Sequence, residues 1–127
     1  MTTARDLSLA SLSAVKARDK QAWLDVYDED AVVQDPVGRS HFDATGLGHQ
    51  GKEAIARFWD VFMANQESFD FTIHKSALCG EEVAVYATLH IATKDGNKFD
   101  VDVLNVYKQA PGGKLASLRS FWEGAHI

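Results

Sequence analysis

Cysteine is nearly absent: Cys79 stands alone in 127 residues. A single thiol forms no internal disulfide, which excludes a disulfide scaffold and fits a reducing compartment. Between Leu78 and Gly80, at a strand boundary, it reads as a small buried residue rather than a nucleophile. Proline occurs only twice, so few positions interrupt the backbone pattern. Basic residues number 13 against 18 acidic ones, a net charge of −5, and no basic cluster exceeds a pair. That excludes nucleic acid and anionic membrane surfaces as primary partners. No apolar run reaches the length of a membrane span. The N-terminal MTTARDLSLASLSAVKARDK carries charges on both sides of a weak apolar patch. It reads as neither a signal peptide nor a membrane segment, and a cytoplasmic location is expected.

What is present is material for a core. Hydrophobic residues make up 46%, with three Trp and seven Phe, enough for one domain over 1–127 with a pocket. No repeat, low-complexity tract or linker divides the chain. The five histidines, at 41, 49, 74, 90 and 126, form no ligand-spaced cluster with the cysteine, so no metal is expected. GLGHQG has no strand leading into it and reads as loop rather than a nucleotide-binding turn. No cofactor is expected.

Helical periodicity comes first along the chain. Leu7, Ser11, Ala14 and Val15 share one helical face. A second short helix starts after Asp19, its N-cap, and carries Trp23, Leu24 and Tyr27. Residues 31–35 form a short strand, and a loop over 39–50 precedes the clearest helix, GKEAIARFWDVFMAN. There Ile55, Phe58, Trp59 and Phe62 recur at i, i+3, i+4 and i+7. From residue 69 the pattern changes to strands over 69–75, 82–93, 98–108 and 114–122, with Asp95-Gly96 as a hairpin turn. Helices followed by a meander of long strands imply an α+β fold. Three helices would cover one face of a strongly curved, mostly antiparallel sheet around an apolar pocket.

Period-two alternation sorts the strand residues. Val83, Val85, Ala87, Leu89 and Ile91 share one face, opposite Ala84, Tyr86, Thr88 and His90. Val101, Val103, Asn105 and Tyr107 share another, as do Leu118, Ser120 and Trp122. Asn105 is the polar exception in an apolar row, and a buried amide must be hydrogen-bonded. It is either a structural bridge or a donor into the pocket. His90 likewise is either a satisfied sheet histidine or a base. Val83, Val85, Leu89, Leu104, Val106 and Phe121 make an outer face too apolar to stay wet, so homodimerisation through it is expected.

The stretch VVQDPVG places Asp35 at the end of an apolar strand and directly before a proline. Turn chemistry accounts for Asp-Pro by itself. The other reading is a carboxylate aimed into the pocket, with Pro36 stiffening the turn that aims it.

RDKQAWLDVYDEDAVVQDPVG, GKEAIARFW, FDVDVLNVY and LASLRSFWE together resemble the ketosteroid isomerase-like branch of the NTF2-like superfamily. That branch includes the steroid delta-isomerase and SnoaL-like proteins, and the resemblance covers nearly the whole chain. It implies a cone-shaped domain, a steroid-like or polycyclic ketone as ligand, and a homodimer. It also implies that Asp35 is a general base, removing a proton next to a ketone and returning it further along the dienolate. In the family a Tyr on the first helix and a protonated Asp on the sheet stabilise the enolate oxygen. Those positions hold Ser11 and Asn105 here. Tyr27 matches a supporting Tyr, Trp59 replaces another aromatic, and Phe58 and Trp122 match pocket aromatics. Tyr86, Thr88, His90, Val101, Val103 and Leu118 complete the expected lining. The 39–50 loop, longer than in the family, brings His41, Phe42 and His49 to the mouth.

Asn105 can donate an N–H to an enolate, though an amide is a poorer acid than a phenol. Ser11 is too short to replace a tyrosine without a bridging water. The expectation is a steroid delta-isomerase-like enzyme with a weakened oxyanion site, or proton transfer on a different ketone. Two alternatives stand beside it. One is a steroid-binding protein without turnover. The other is a cyclase or dehydratase of the same fold, pairing Asp35 with His90, Tyr86, His41 or His49.

Overall fold

The computed structural model describes residues 1–125; His126 lies outside them. Helix α1 (Ala4–Ala17) opens on a capping box, Thr3 accepting from the Asp6 N–H while the Asp6 carboxylate takes the Thr3 N–H. Its left-handed C-cap, Arg18, turns the chain into α2 (Lys20–Asp25), capped by Asp19. Strand β1 (Tyr27–Gln34) follows at once. Tyr27 thus opens a strand instead of closing a helix, because six residues complete α2 and Tyr27 pairs with Leu115. The 39–50 loop ends in a two-residue strand, β2 (His49–Gln50), that pairs antiparallel with β1. Gly48, at φ +91°, lets the loop cross β1; a Cβ there would meet Val32 and Gln34 at 2.8 Å. No sequence signal marks β2.

Helix α3 (Gly51–Met63) follows, then β3 (Gln66–Cys79), β4 (Glu82–Thr93), β5 (Lys98–Gln109) and β6 (Leu115–Phe121). β3 is twice the expected length, because its whole run pairs with β4 apart from two register shifts. The sheet order is β2-β1-β6-β5-β4-β3, antiparallel except for the β1–β6 pair. Three helices pack against this curved open sheet as expected. Ile55, Phe58 and Trp59 of the α3 stripe are buried against it, each side chain contributing about 1.5–3 kcal/mol by leaving water. No described helix is long and apolar enough to cross a membrane.

Pairing register decides which sheet face looks inward. Val83, Val85, Ala87 and Leu89 lie opposite Tyr107, Asn105, Val103 and Val101. All eight therefore face the helices, and Val83, Val85 and Leu89 leave the outer surface where the sequence places them. The outer face instead carries Ala84, Tyr86, Thr88 and His90, beside Leu104, Val106 and Phe121. Cys79, expected to be buried, is exposed at the end of β3.

Candidate active site

Asp35 arrives at the site from β1. Ala31 and Val33 are fully buried on the inner face, and alternation aims residue 35 the same way just past the strand end. The carboxylate Oδ1 accepts a hydrogen bond from Trp122 Nε1 at 2.6 Å. Burial pushes the Asp35 carboxyl up to about 6, while the hydrogen bond from Trp122 pulls the other way. That places the carboxyl just below neutrality.

Facing it is a chain of polar side chains set into the sheet. Ser120 Oγ lies 2.5 Å from Asn105 Oδ1, and Asn105 Nδ2 lies 3.0 Å from the Tyr107 hydroxyl oxygen. Ser120 has one hydrogen for two acceptors, Asn105 and Asp35; the short contact is the one to Asn105. The Ser11 and Tyr27 hydroxyls pair at 3.2 Å, both buried. Burial drives the Tyr27 and Tyr107 phenols well above their ordinary range, with the Asp35 charge adding to it.

Asp35, Ser11, Asn105, Tyr107 and Ser120 line one cavity of about 40 Å³ with Phe58, Trp59 and Phe62 of α3 and with Leu89 and Leu118. Small-molecule sites usually measure roughly 300–1,000 Å³, so this one is too small to hold a ring system without rearrangement. Phe42 packs beside this lining: its ring lies 6.1 Å from Phe58, 6.3 Å from Phe62 and 6.2 Å from Trp122.

A family model for the SnoaL-like domain matches residues 9–118. The chain belongs to this family. No curated protein matches the sequence. Among solved structures, the SnoaL-like domain is similar to Delta 5-3-ketosteroid isomerase from a Mycobacterium species. Their TM-score is 0.88 at 25% identity, over 97% of this chain and 95% of that one. It is also similar to RV0760c from Mycobacterium tuberculosis in complex with estradiol-17β-hemisuccinate, with a TM-score of 0.87, 27% identity, and coverage of 97% and 95%. A third likeness is to a computationally designed 17-OHP binder, with a TM-score of 0.89, 25% identity, and coverage of 97% and 95%.

Within this SnoaL-like domain, Asp35, Asn105, Ser11, Phe58, Trp59 and Leu118 meet at the cavity. Trp122 and Tyr27 reach it through their hydrogen bonds to Asp35 and Ser11. Val101 and Val103 share the inner face with Asn105, behind the lining. Tyr86, Thr88 and His90 do not join them. Register turns all three outward, where Thr88 donates to Asp102 at 2.7 Å and His90 Nδ1 bonds Asp100 at 2.8 Å. Tyr86 packs on His74, with ring centroids 4.7 Å apart. His41 is exposed. His49 sits behind the lining with its ring 4.6 Å from Phe58, and burial lowers its pKa. Its Nε2 is buried without a hydrogen-bond partner among the described residues.

Tyr107 and Ser120 are the polar residues that sequence reasoning did not single out for the site. A signal existed, since alternation places Tyr107 with Asn105 and Ser120 with Trp122. What joins the two rows is the Asn105–Ser120 pairing of β5 with β6.

Proposed function

We propose that this protein moves a proton next to the carbonyl of a hydrophobic ketone, as in conversion of a 5-ene to a 4-ene 3-ketosteroid. The observation that carries the reading is a carboxylate held among aromatic side chains, raised to about 6, with Trp122 as its close hydrogen-bond donor. Such a base is ionised at neutral pH yet basic enough to take a carbon-bound proton. In the proposed step the C–H bond breaks, Asp35 takes the proton, and the electron pair moves to the carbonyl oxygen. Asp35 then returns the proton to the far end of the dienolate. Asn105 Nδ2 has two hydrogens and spends one on Tyr107, leaving the second for the enolate oxygen. Admission of a ring system requires Phe42 to swing off Phe58 and Phe62.

The test is turnover of a 5-ene-3-ketosteroid, followed by the ultraviolet absorbance of the conjugated enone, for the wild type beside Asp35→Asn. A wild type no faster than the variant refutes the reading. Binding without turnover is the second reading, favoured by Ser11, whose hydroxyl is already paired with Tyr27. Saturable steroid binding with no enone formed selects it. The histidine-assisted cyclase or dehydratase reading has less support, because none of the described histidines lines the cavity.

Homodimerisation through the outer sheet face also belongs to this proposal. Tyr86, Leu104 and Phe121 form one row across β4, β5 and β6, and are 41%, 57% and 40% exposed. Hollows of about 830 and 280 Å³ adjoin Leu104, room for a second copy's side chains. Leu104→Glu should convert a dimer to a monomer in sedimentation velocity; a wild-type monomer would remove the claim.

A further inference from the structure

We propose that the Tyr107 hydroxyl is a catalytic oxyanion donor, supplying from the sheet what Ser11 does not supply from the first helix. The inference deepens the proton-transfer reading above and rests on it for its chemistry.

The argument follows the hydrogens. A 2.5 Å oxygen-to-oxygen contact and a 3.0 Å contact fit O–H···O and N–H···O bonds respectively. Asn105 is therefore oriented with Oδ1 accepting from Ser120 and Nδ2 donating to Tyr107. The register that pairs Asn105 with Ser120 brings the two side chains together, and the 2.5 Å contact, too short for an N–H donor, sets which end of the amide meets Ser120. A phenol oxygen that accepts an N–H keeps its own hydrogen to give. No acceptor for that hydrogen occurs among the described residues. Tyr107 is 1% exposed and lines the same cavity as Asp35, so the hydrogen's outlet is the cavity. An orphaned buried O–H in a polar cluster is costly, and a ligand oxygen removes that cost.

The chemistry suits an enolate better than a ketone. When Asp35 takes the proton from carbon, the electron pair arrives on the ligand oxygen. A phenol is acidic enough for its hydrogen bond to strengthen as that charge grows, whereas an amide N–H responds far less. Asn105 assists from behind: its N–H to the Tyr107 oxygen stabilises the phenol as it gives up hydrogen density, an effect that cooperative bonding enlarges. Tyr107 and the second Asn105 N–H then make two donors from a single strand.

The experiment uses purified full-length protein and a ligand pair, estradiol and its 3-deoxy analogue, titrated by quenching of the cavity tryptophans. Estradiol's phenol oxygen stands in for the enolate oxygen; the analogue has the same rings and no oxygen there. Tyr107→Phe should cut the preference for estradiol at least about tenfold while binding the analogue as the wild type does. In turnover it should lower kcat on the order of 10²-fold with little change in KM, the mark of a transition-state contact. Asn105→Ala should be milder, since Tyr107 keeps its hydroxyl. An unchanged ligand preference in Tyr107→Phe overturns the assignment. So does an Asn105→Ala defect as large as that of Tyr107→Phe with no further loss in the double variant, which would reduce Tyr107 to a prop for the amide. If Tyr107→Phe fails to bind the analogue, 3,5-difluorotyrosine at 107 replaces it. This more acidic donor of nearly the same shape should raise the estradiol preference, and no change overturns the proposal. Failure of the base reading is visible separately, as undiminished turnover in Asp35→Asn; the ligand pair still decides Tyr107.

Discussion

Replacing Asp35 by asparagine should do two opposite things: stop catalysis and stabilise the fold at alkaline pH. The carboxyl sits at about 6 against an ordinary 3.8. At ~1.36 kcal/mol per pH unit, the folded state disfavours the ionised form by roughly 3 kcal/mol. Below pH 3.8 the group is neutral folded and unfolded, and no penalty exists. Between 3.8 and about 6 the folded protein holds more protons than the unfolded chain, so stability falls as pH rises. Above that window the full penalty persists. Asparagine is neutral throughout and escapes it, although its unpartnered NH₂ costs about 1–3 kcal/mol at every pH. The stability of Asp35→Asn relative to wild type should therefore rise by about 2–3 kcal/mol between pH 4 and pH 8. Urea unfolding followed by tryptophan fluorescence at several pH values measures it, provided the two proteins share one m-value. Subtraction cancels every other titrating group. A difference that stays flat within about 0.5 kcal/mol would mean a carboxylate in water, and the site reasoning would fail with it.

Trp122→Phe removes the N–H that favours the ionised carboxylate, a charged hydrogen bond worth about 1.5–3 kcal/mol. The acidic limb of the pH–rate profile should move up by about one pH unit or more, with activity recovering at alkaline pH; a limb that stays in place would contradict the assigned contact. Phe42→Ala removes the ring packed on Phe58, Phe62 and Trp122. It should lower stability by about 1–2 kcal/mol and speed estradiol association in stopped-flow quenching; an unchanged association rate would place the gate elsewhere. Gly48→Ala puts a methyl group 2.8 Å from Val32 and Gln34 at positive φ. It should destabilise the protein by about 1–3 kcal/mol in thermal melts, and a silent substitution would mean that the loop crosses β1 more loosely.

Much of this molecule could be read locally. The α3 stripe, the Asp19 cap, the Asp95-Gly96 hairpin and the inward aim of Asp35 each depend on residues a few positions apart, and period and turn chemistry reach that far. Alternation also grouped Asn105 with Tyr107, and Ser120 with Trp122, without saying what either group faces. A two-sided pattern names two faces and leaves open which is inside, and in β4 both rows are apolar enough to qualify. The choice was made by the Val85–Asn105 register, which moved Tyr86, Thr88 and His90 out and brought Leu89 in. Pairing of β5 with β6 set Ser120 against Asn105. The loop that seats Phe42 on Phe58 is likewise a contact between distant segments. Residue types and their spacing determined the fold class and the inward-facing carboxylate; strand pairing, which joins residues far apart in the chain, decided the rest of the cavity.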